Sequence, residues 1–230
     1  MRLLAIGDIH GHVRALDALL EEVAPTASDI VVFLGDYVDK GPCVKETLDR
    51  LCELSENSAW VFLRGNHDQM FLDACLNHSE IGIWECLAGE GPLDSYGRGK
   101  TEDLIAAIPS AHVEFLRDRC QNYFEHSRFI FVHGGIRPHL EPEEEEAYRL
   151  QWMVLSTAAP HLSQKTIICG HSAQSSGQIA DLEHTICIDT AISKGGYLTC
   201  LDLTNSCCIQ ANEAGELRFK QLRRTLTEPM

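Results

Sequence analysis

Residues 30–41 read "IVVFLGDYVDKG". The apolar run 30–34 is a buried strand, and two acids, Asp36 and Asp39, follow it at once with Lys40 beside them. Carboxylates at the end of a buried strand are costly to desolvate unless something cationic meets them. The stretch therefore predicts a strand whose end faces a cationic ligand.

Its neighbours set the fold. Upstream, "RLLAIG" reads as a strand, and "HVRALDALLEEV" places Val13, Leu16, Leu20 and Val23 on one helical face. Downstream, "VKETLDRLCEL" brings Val44, Thr47, Leu48, Leu51 and Leu54 round on helical spacing. "AWVFLRG" is a third strand, and "QMFLDACL" a helix. Strand–helix alternation is the rhythm of a parallel sheet with crossover helices.

Residues 78–122 are less regular, with the Gly/Pro-rich "AGEGPLDSYGRGK" and a helix after Pro109. They read as a helical cap or a loop bordering a site. Then "RFIFVHGG", "KTIICGHS", "HTICIDT", "YLTCLDL" and "SCCIQAN" follow as short strands, the later ones with little helix between them and expected to be antiparallel. The expectation is one α/β domain over residues 1–230: a mixed β-sandwich flanked by helices, with a βαβ half packed on a strand-rich half.

Composition excludes several classes. With 230 residues, 44% hydrophobic and 23% charged, the chain suits a soluble globular protein. No run has the length of a transmembrane helix, and "MRLLAIGDIHG" meets an acid too early for a signal peptide, so no membrane partner and a cytoplasmic location are expected. A formal charge of −15 repels phosphate backbones and argues against nucleic acid. The run "EPEEEE" reads as a solvated helix start. Ten cysteines form no C-x-x-C pair, so they read mostly as buried reduced thiols rather than zinc ligands.

Five strands end in metal-capable or proton-transferring groups. They are Asp8 and His10, then Asp36 and Asp39, then Asn66, His67 and Asp68, then His133, then His171, each beside a glycine. One such histidine is an ordinary loop residue; five coincident cases, at the strand ends where α/β sheets place their sites, are not. Asp8 and His10, two apart in extended chain, point the same way and can hold one cation. Asn66 and His67, adjacent, should diverge. Carboxylates, imidazoles and an amide without thiolate suit Mn²⁺, Fe or Zn²⁺, and suffice for two ions with Asp36 as a bridge. Two ions roughly 3.5–4 Å apart generate a hydroxide nucleophile and clamp a phosphoryl group.

In this order, "GDIHG", "GDYVDKG", "RGNHD", "HGG" and "GHS" resemble the signature of the PPP-type metallophosphatases of the calcineurin-like phosphoesterase superfamily. That group includes bacterial serine/threonine protein phosphatases and symmetrical diadenosine tetraphosphatases. The resemblance spans roughly residues 1–203. It implies that Asp8, His10 and Asp36 hold one metal, and that Asp36, Asn66, His133 and His171 hold the other. It casts His67 as general acid, oriented by Asp39, with manganese first among the metals. It also places Lys40 where the family carries a phosphate-gripping arginine.

Two departures accompany the match: lysine rather than arginine at position 40, and no arginine after the tryptophan of "LQWMVLS", where Met153 and Val154 offer no cation. Arg64 could touch phosphate or serve packing. Asp189 could hydrogen-bond a ligand histidine or shape a turn, and "SYG" reads more readily as a turn than as site lining. His12, His78, His112, His126, His139, His161 and His184 match no motif and are expected at the surface or in loops. The expected function is hydrolysis of phosphomonoesters, phosphoproteins included. Hydrolysis of dinucleoside polyphosphates is the rival enzyme; Asp39 disfavours it, because tetraphosphatases commonly read "GDLVARG" there. A phospho-ligand-binding protein without turnover is the non-enzyme alternative.

Overall fold

The structure, a computed structural model, describes residues 1–88, 91–97 and 99–226; positions 89, 90 and 98 of the Gly/Pro-rich stretch, and the side chains at positions 78, 83 and 91–93, lie outside the described residues. The first half alternates as its sequence pattern dictates: β1 (Leu3–Ile6), α1 (Val13–Val23), β2 (Ile30–Phe33), α2 (Val44–Leu54), β3 (Trp60–Leu63) and α3 (Asn66–Leu76). Short helices follow: α4 (Ile81–Ala88), α5 (Gly91–Tyr96), α6 (Thr101–Ala106) and α7 (Ser110–Glu114). A π-helical turn over Phe115–Arg119 then leads into β4 (Cys120–Gln121). After β5 (Tyr123–His126) and β6 (Phe129–Val132) come α8 (Ala147–Trp152), β7 (Thr166–Cys169), β8 (Ala180–Asp181), β9 (Thr185–Cys187), β10 (Leu198–Asp202), β11 (Cys207–Ala211) and β12 (Leu217–Gln221).

Among the described residues the strands form two sheets, ordered β12-β11-β10-β1-β2-β3-β4 and β5-β6-β7-β9-β8. The result is the expected mixed β-sandwich flanked by helices, with one change in how the chain divides. β10, β11 and β12 return to the first sheet, where β10 pairs antiparallel with β1. Antiparallel pairing was expected of the later strands and holds for β10 and β11, with β12 added beyond them, but β6, β7 and β9 are parallel to one another. Parallel neighbours need a crossover, and the long segment from β6 to β7, carrying α8, supplies it.

Alternation along each strand builds the layers. Leu4 and Ile6 of β1 and Val31 and Phe33 of β2 face α1 and α2, whose Leu16, Leu19, Leu48 and Leu51 cover them. Ala5, Val32, Leu63, Phe129, Phe131 and Ile168 point inward and form the sandwich interior. Ile130, Val132, Ile167 and Cys169 face outward and are closed over by Leu150 of α8. Strands buried on both faces explain why these runs are continuously apolar.

Several local expectations change. α3 begins at Asn66, three residues earlier than its apolar spacing suggested, because the Asp68 carboxylate accepts the Gly65 backbone N–H at 2.9 Å and closes the first turn. The acidic run is not wholly solvated: Glu145 is buried against the Arg137 guanidinium. Of the histidines expected at the surface or in loops, His12 and His161 lie in loops but are buried, and His112 lies buried on α7, where it bridges Tyr96 and Asp49. Ser95 and Tyr96 of "SYG" end α5 and bond to Lys45, Glu46 and His112 rather than to the strand-end residues. The ten cysteines are free thiols. Among the described residues, no helix is long and apolar enough to cross a membrane.

Candidate metal centre

β1, β2 and β3 run parallel in one sheet, and β6 and β7 run parallel in the other. Their C-terminal ends deliver the five motifs to one edge of the sandwich. The turns there are tight. His10, Asp36, Asp39, Lys40 and His171 all have positive φ, between 44° and 67°. Such backbone costs a non-glycine residue of order 1 kcal/mol and persists only where its surroundings enforce it.

Asp68 is one enforcer. Its carboxylate accepts the backbone N–H of Asp36 at 2.7 Å and of Tyr37 at 2.8 Å, locking the turn after β2 to the start of α3. Gly35 and Gly65 meet there: a Cβ on Gly35 would lie 2.4 Å from the Gly65 nitrogen, and one on Gly65 would lie 2.1 Å from Asp36 Oδ1. Side chains at either position would fill the cradle.

Two donor groups result. One atom each from His10, Asp36 and His67 lies within 4.8 Å of the others, and the same holds for Asp36, His133 and His171. Asp36 belongs to both. Asn66 joins the second group: its Oδ1 lies 3.0 Å from His133 Nε2 and 2.9 Å from His171 Nδ1. His10 and His133 each donate Nδ1–H to a backbone carbonyl, of Val38 and Leu34, both at 2.8 Å. That fixes the tautomer and turns Nε2 toward the centre. Asp8 does not close a tight group with His10; it lies against Gly170 and accepts the His171 backbone N–H at 3.1 Å. Asp189 accepts the Ala191 backbone N–H, which is a turn contact.

Asn66 and His67 diverge as expected, although the cause is the rotation of a helical turn rather than strand alternation. His67 donates Nδ1–H to Asp39 Oδ2 at 2.7 Å, and its ring sits edge-on to His10. Trp84 of α4 completes this pair by donating its indole N–H to Asp39 Oδ1 at 3.0 Å. Sequence reasoning missed Trp84 because nothing in its segment repeats or matches the five motifs. Lys40 is exposed at the rim and places Nζ 3.1 Å from His10 Nε2.

Of the two readings of Arg64, phosphate contact and packing, the structure favours packing. Its guanidinium is spent on the carbonyls of Leu116, Arg117 and Cys120 and on Gln69 Oε1, so it braces the π-helical turn instead of reaching phosphate.

The electrostatics call for cations. Burial pushes Asp8 well above the usual carboxylate range, aided by Asp189 and Asp36, and burial pushes Asp68 up to about 7. Burial works against the charge on Asp36 too, but His133 and His67 outweigh it and hold its carboxyl well below the usual range. Burial lowers His10 to about 3 and His171 to about 4, which keeps both as neutral nitrogen donors. Burial also opposes protonation of His133, yet Asp36 raises it to about 10. Neutral imidazoles at His10 and His171, an imidazole at His133 that Asp36 holds, crowded acids and an amide, converging from two sheets without thiolate, fit divalent ions, which would take the place of the His133 proton.

A two-sheet sandwich with this donor set at its strand ends defines the metallophosphoesterase class. The chain belongs to the calcineurin-like phosphoesterases: the family model matches residues 1–192. Proteins of this family use divalent metal ions. Among curated relatives, the symmetrical bis(5'-nucleosyl)-tetraphosphatase of Paracidovorax citrulli is 32% identical over 167 residues, 71% of this chain and 55% of the relative. That of Pseudomonas fluorescens is 31% identical over 140 residues, 60% and 43% respectively. The chain thus spans about half the length of these relatives. Among solved structures, one named provisionally as a diadenosine tetraphosphatase aligns with a TM-score of 0.68 at 20% identity, over 91% of this chain and 92% of that one. A serine/threonine phosphatase from Saccharomyces cerevisiae aligns at 0.60 and 14% identity, over 97% and 81%. At such identities these structures speak for the fold.

Proposed function

We propose that this chain hydrolyses phosphoesters at a dinuclear centre built on Asp36. The observation that carries this reading is the membership of Asp36 in both donor groups, with His67 and Asp39 paired at the edge of one of them. A pair of divalent ions, when bound, acidifies water and offsets phosphoryl charge. By the family resemblance Asp8 would join His10 and Asp36 at one ion, although it stands outside their tight group here, and Asp36, Asn66, His133 and His171 would hold the other. Manganese is the first expectation, ahead of iron and zinc, for this oxygen- and nitrogen-rich set.

The chain's own residues do the rest. Asp36 fixes the spacing of the two groups. His67, held by Asp39, serves as the general acid for the departing oxygen; a positioned acid is worth roughly 10²–10⁴-fold. Lys40 meets the phosphate at the rim as a mobile point charge rather than a rigid fork. A built proton donor favours substrates with poor leaving groups, such as alkyl phosphomonoesters and the phosphoserine and phosphothreonine of phosphoproteins. The printed names of the relatives favour a second reading, hydrolysis of a dinucleoside polyphosphate. The testing experiment incubates metal-stripped protein with Mn²⁺ and compares p-nitrophenyl phosphate, a phosphopeptide and diadenosine tetraphosphate. Turnover of none of the three sinks the enzyme reading and leaves a phospho-ligand-binding protein.

A further inference from the structure

Cys187 closes β9 beside Cys169, the last residue of β7, with which it is in register. Both side chains are buried. Past Cys169 the chain turns sharply through Gly170, His171 and Ser172, with His171 at a φ of 61°. Two contacts tie this turn to the metal centre. The Gly170 backbone N–H donates to the His133 carbonyl at 2.8 Å, and the His171 N–H reaches Asp8 at 3.1 Å. A Cβ on Gly170 would lie 2.1 Å from Asp8 Oδ1, so the turn is pressed against that carboxylate.

β7 lies between β6 and β9, so Cys187 meets the turn from the flank opposite His133. Its Sγ lies 3.2 Å from the Gly170 carbonyl oxygen and 3.4 Å from that of Ser172. These are the carbonyls on either side of His171. The strand continues alongside the turn: the Ile188 N–H donates to the Cys169 carbonyl at 2.8 Å, and the Gln174 N–H to the Asp189 carbonyl at 2.9 Å. A buried cysteine can serve only as a small apolar side chain. Here its sulfur also lies against two oxygens, which is the place of a donor.

The His171 imidazole belongs to the second donor group, with Nδ1 2.9 Å from Asn66 Oδ1. Its ring moves with its backbone, and left-handed backbone in a non-glycine residue persists only where the surroundings hold it. We propose that Cys187 is a positioning residue of the metal centre: its thiol donates to the carbonyls that flank His171 and so holds that imidazole in the second donor group. The proposal rests on the dinuclear reading and adds to it the contact that aims one ligand. Groups that orient a ligand from behind govern how tightly the ion is held, although they never touch it.

The test separates a donor from a filler. Serine keeps a hydroxyl donor at this position, whereas valine fills the space, suits a strand and donates nothing. Metal-stripped wild-type, Cys187→Ser and Cys187→Val proteins are titrated with Mn²⁺ in a calorimeter. Cys187→Val should weaken one of the two ions about tenfold, the low end of the roughly 10–100-fold loss that follows removal of a ligand-orienting group. The other ion should bind nearly as in the wild type, and Cys187→Ser should bind both nearly as the wild type does. In a His171→Ala background, Cys187→Val should add no further loss. Wild-type affinities in Cys187→Val overturn the proposal. So does a loss in Cys187→Ser as large as that in Cys187→Val, since the hydroxyl then fails to stand in for the thiol. A further loss in the His171→Ala background also overturns it, because the effect then bypasses His171. Wild-type protein that takes up fewer than two ions overturns the dinuclear reading itself, and the proposal with it.

Discussion

The Trp84 indole N–H reaches Asp39 Oδ1 at 3.0 Å while Asp39 Oδ2 holds His67 Nδ1 at 2.7 Å. A helix outside the five motifs thus supplies a third member to the histidine–carboxylate pair. Asp39 is fully buried, and burial raises its pKa against the opposing pull of His67, so the indole donor also helps keep it ionised. Trp84→Phe removes that donor with little change of shape. It should lower kcat roughly tenfold on alkyl phosphates, in line with one hydrogen bond to a charged group. Metal content should be unchanged. An intact kcat would reduce Trp84 to a packing residue.

His67→Asn should lower kcat by roughly 10²–10⁴-fold on substrates with poor leaving groups. The loss should shrink with p-nitrophenyl phosphate, whose leaving group needs no proton. Because His67 also offers an atom to the first donor group, elemental analysis must accompany the kinetics. Loss of a metal ion in this variant would make His67 a ligand instead of an acid.

The site's contents were legible in the sequence, while its wiring was not. Glycine-flanked acids and imidazoles after apolar runs mark strand ends, and the parallel rhythm puts those ends on one edge. Trp84 and Asp68 act through contacts 45 and 32 residues away in the chain, and no local pattern encodes such pairs. Arg64 looked available because arginine beside a motif suggests phosphate, yet the carbonyls of the π-helical turn claim it. β5 and β12, "YFEH" and "LRFKQ", were missed because charged residues break their apolar pattern, as edge strands tolerate. β12 is an outer strand of its sheet, as is β5.

Asp36→Asn should disturb both donor groups at once. Reconstituted wild-type protein is expected to carry about two ions per chain. The variant should carry clearly fewer, with activity lost in parallel. Excess chelator should abolish wild-type activity, and added Mn²⁺ should restore it. Retention of two ions by the variant would show that Asp36 is not shared between the sites.

Far from the site, Asp29 anchors the start of β2 to the N-terminus. It accepts hydrogen bonds from the Arg2 backbone and guanidinium and from Thr26. The Arg2 guanidinium holds its carboxyl well below the usual range, against the opposing effect of burial. A depressed folded pKa stabilises fully above the unfolded pKa of about 3.9 and is lost as pH falls below it. Asp29→Asn should therefore cost about 2 kcal/mol at pH 7, as for hydrogen bonds to a charged group. In urea titrations the penalty should be the same at pH 5 and shrink below about pH 4. A pH-independent difference would mean that packing, rather than charge, is what the variant loses.

Lys40 bears on how phosphate is gripped once Arg64 is spent elsewhere. Its ammonium lies at the rim, 3.1 Å from His10 Nε2, on backbone held in the left-handed region by the turn. The Lys40 backbone N–H donates to the Ala88 carbonyl at 2.9 Å, so α4 fixes the turn from which the side chain swings. A flexible stem lets the ammonium leave His10 and meet a phosphate oxygen when one enters. Lys40→Ala should raise KM for phosphomonoesters and weaken inhibition by inorganic phosphate, with metal content unchanged. The size of the effect should be about tenfold, the yield of one charge-assisted hydrogen bond. Lys40→Arg should keep activity and tighten phosphate inhibition, because a planar fork binds two oxygens together. If Lys40→Ala changes neither KM nor phosphate inhibition, the ammonium serves only the turn, and the centre itself must hold the phosphate.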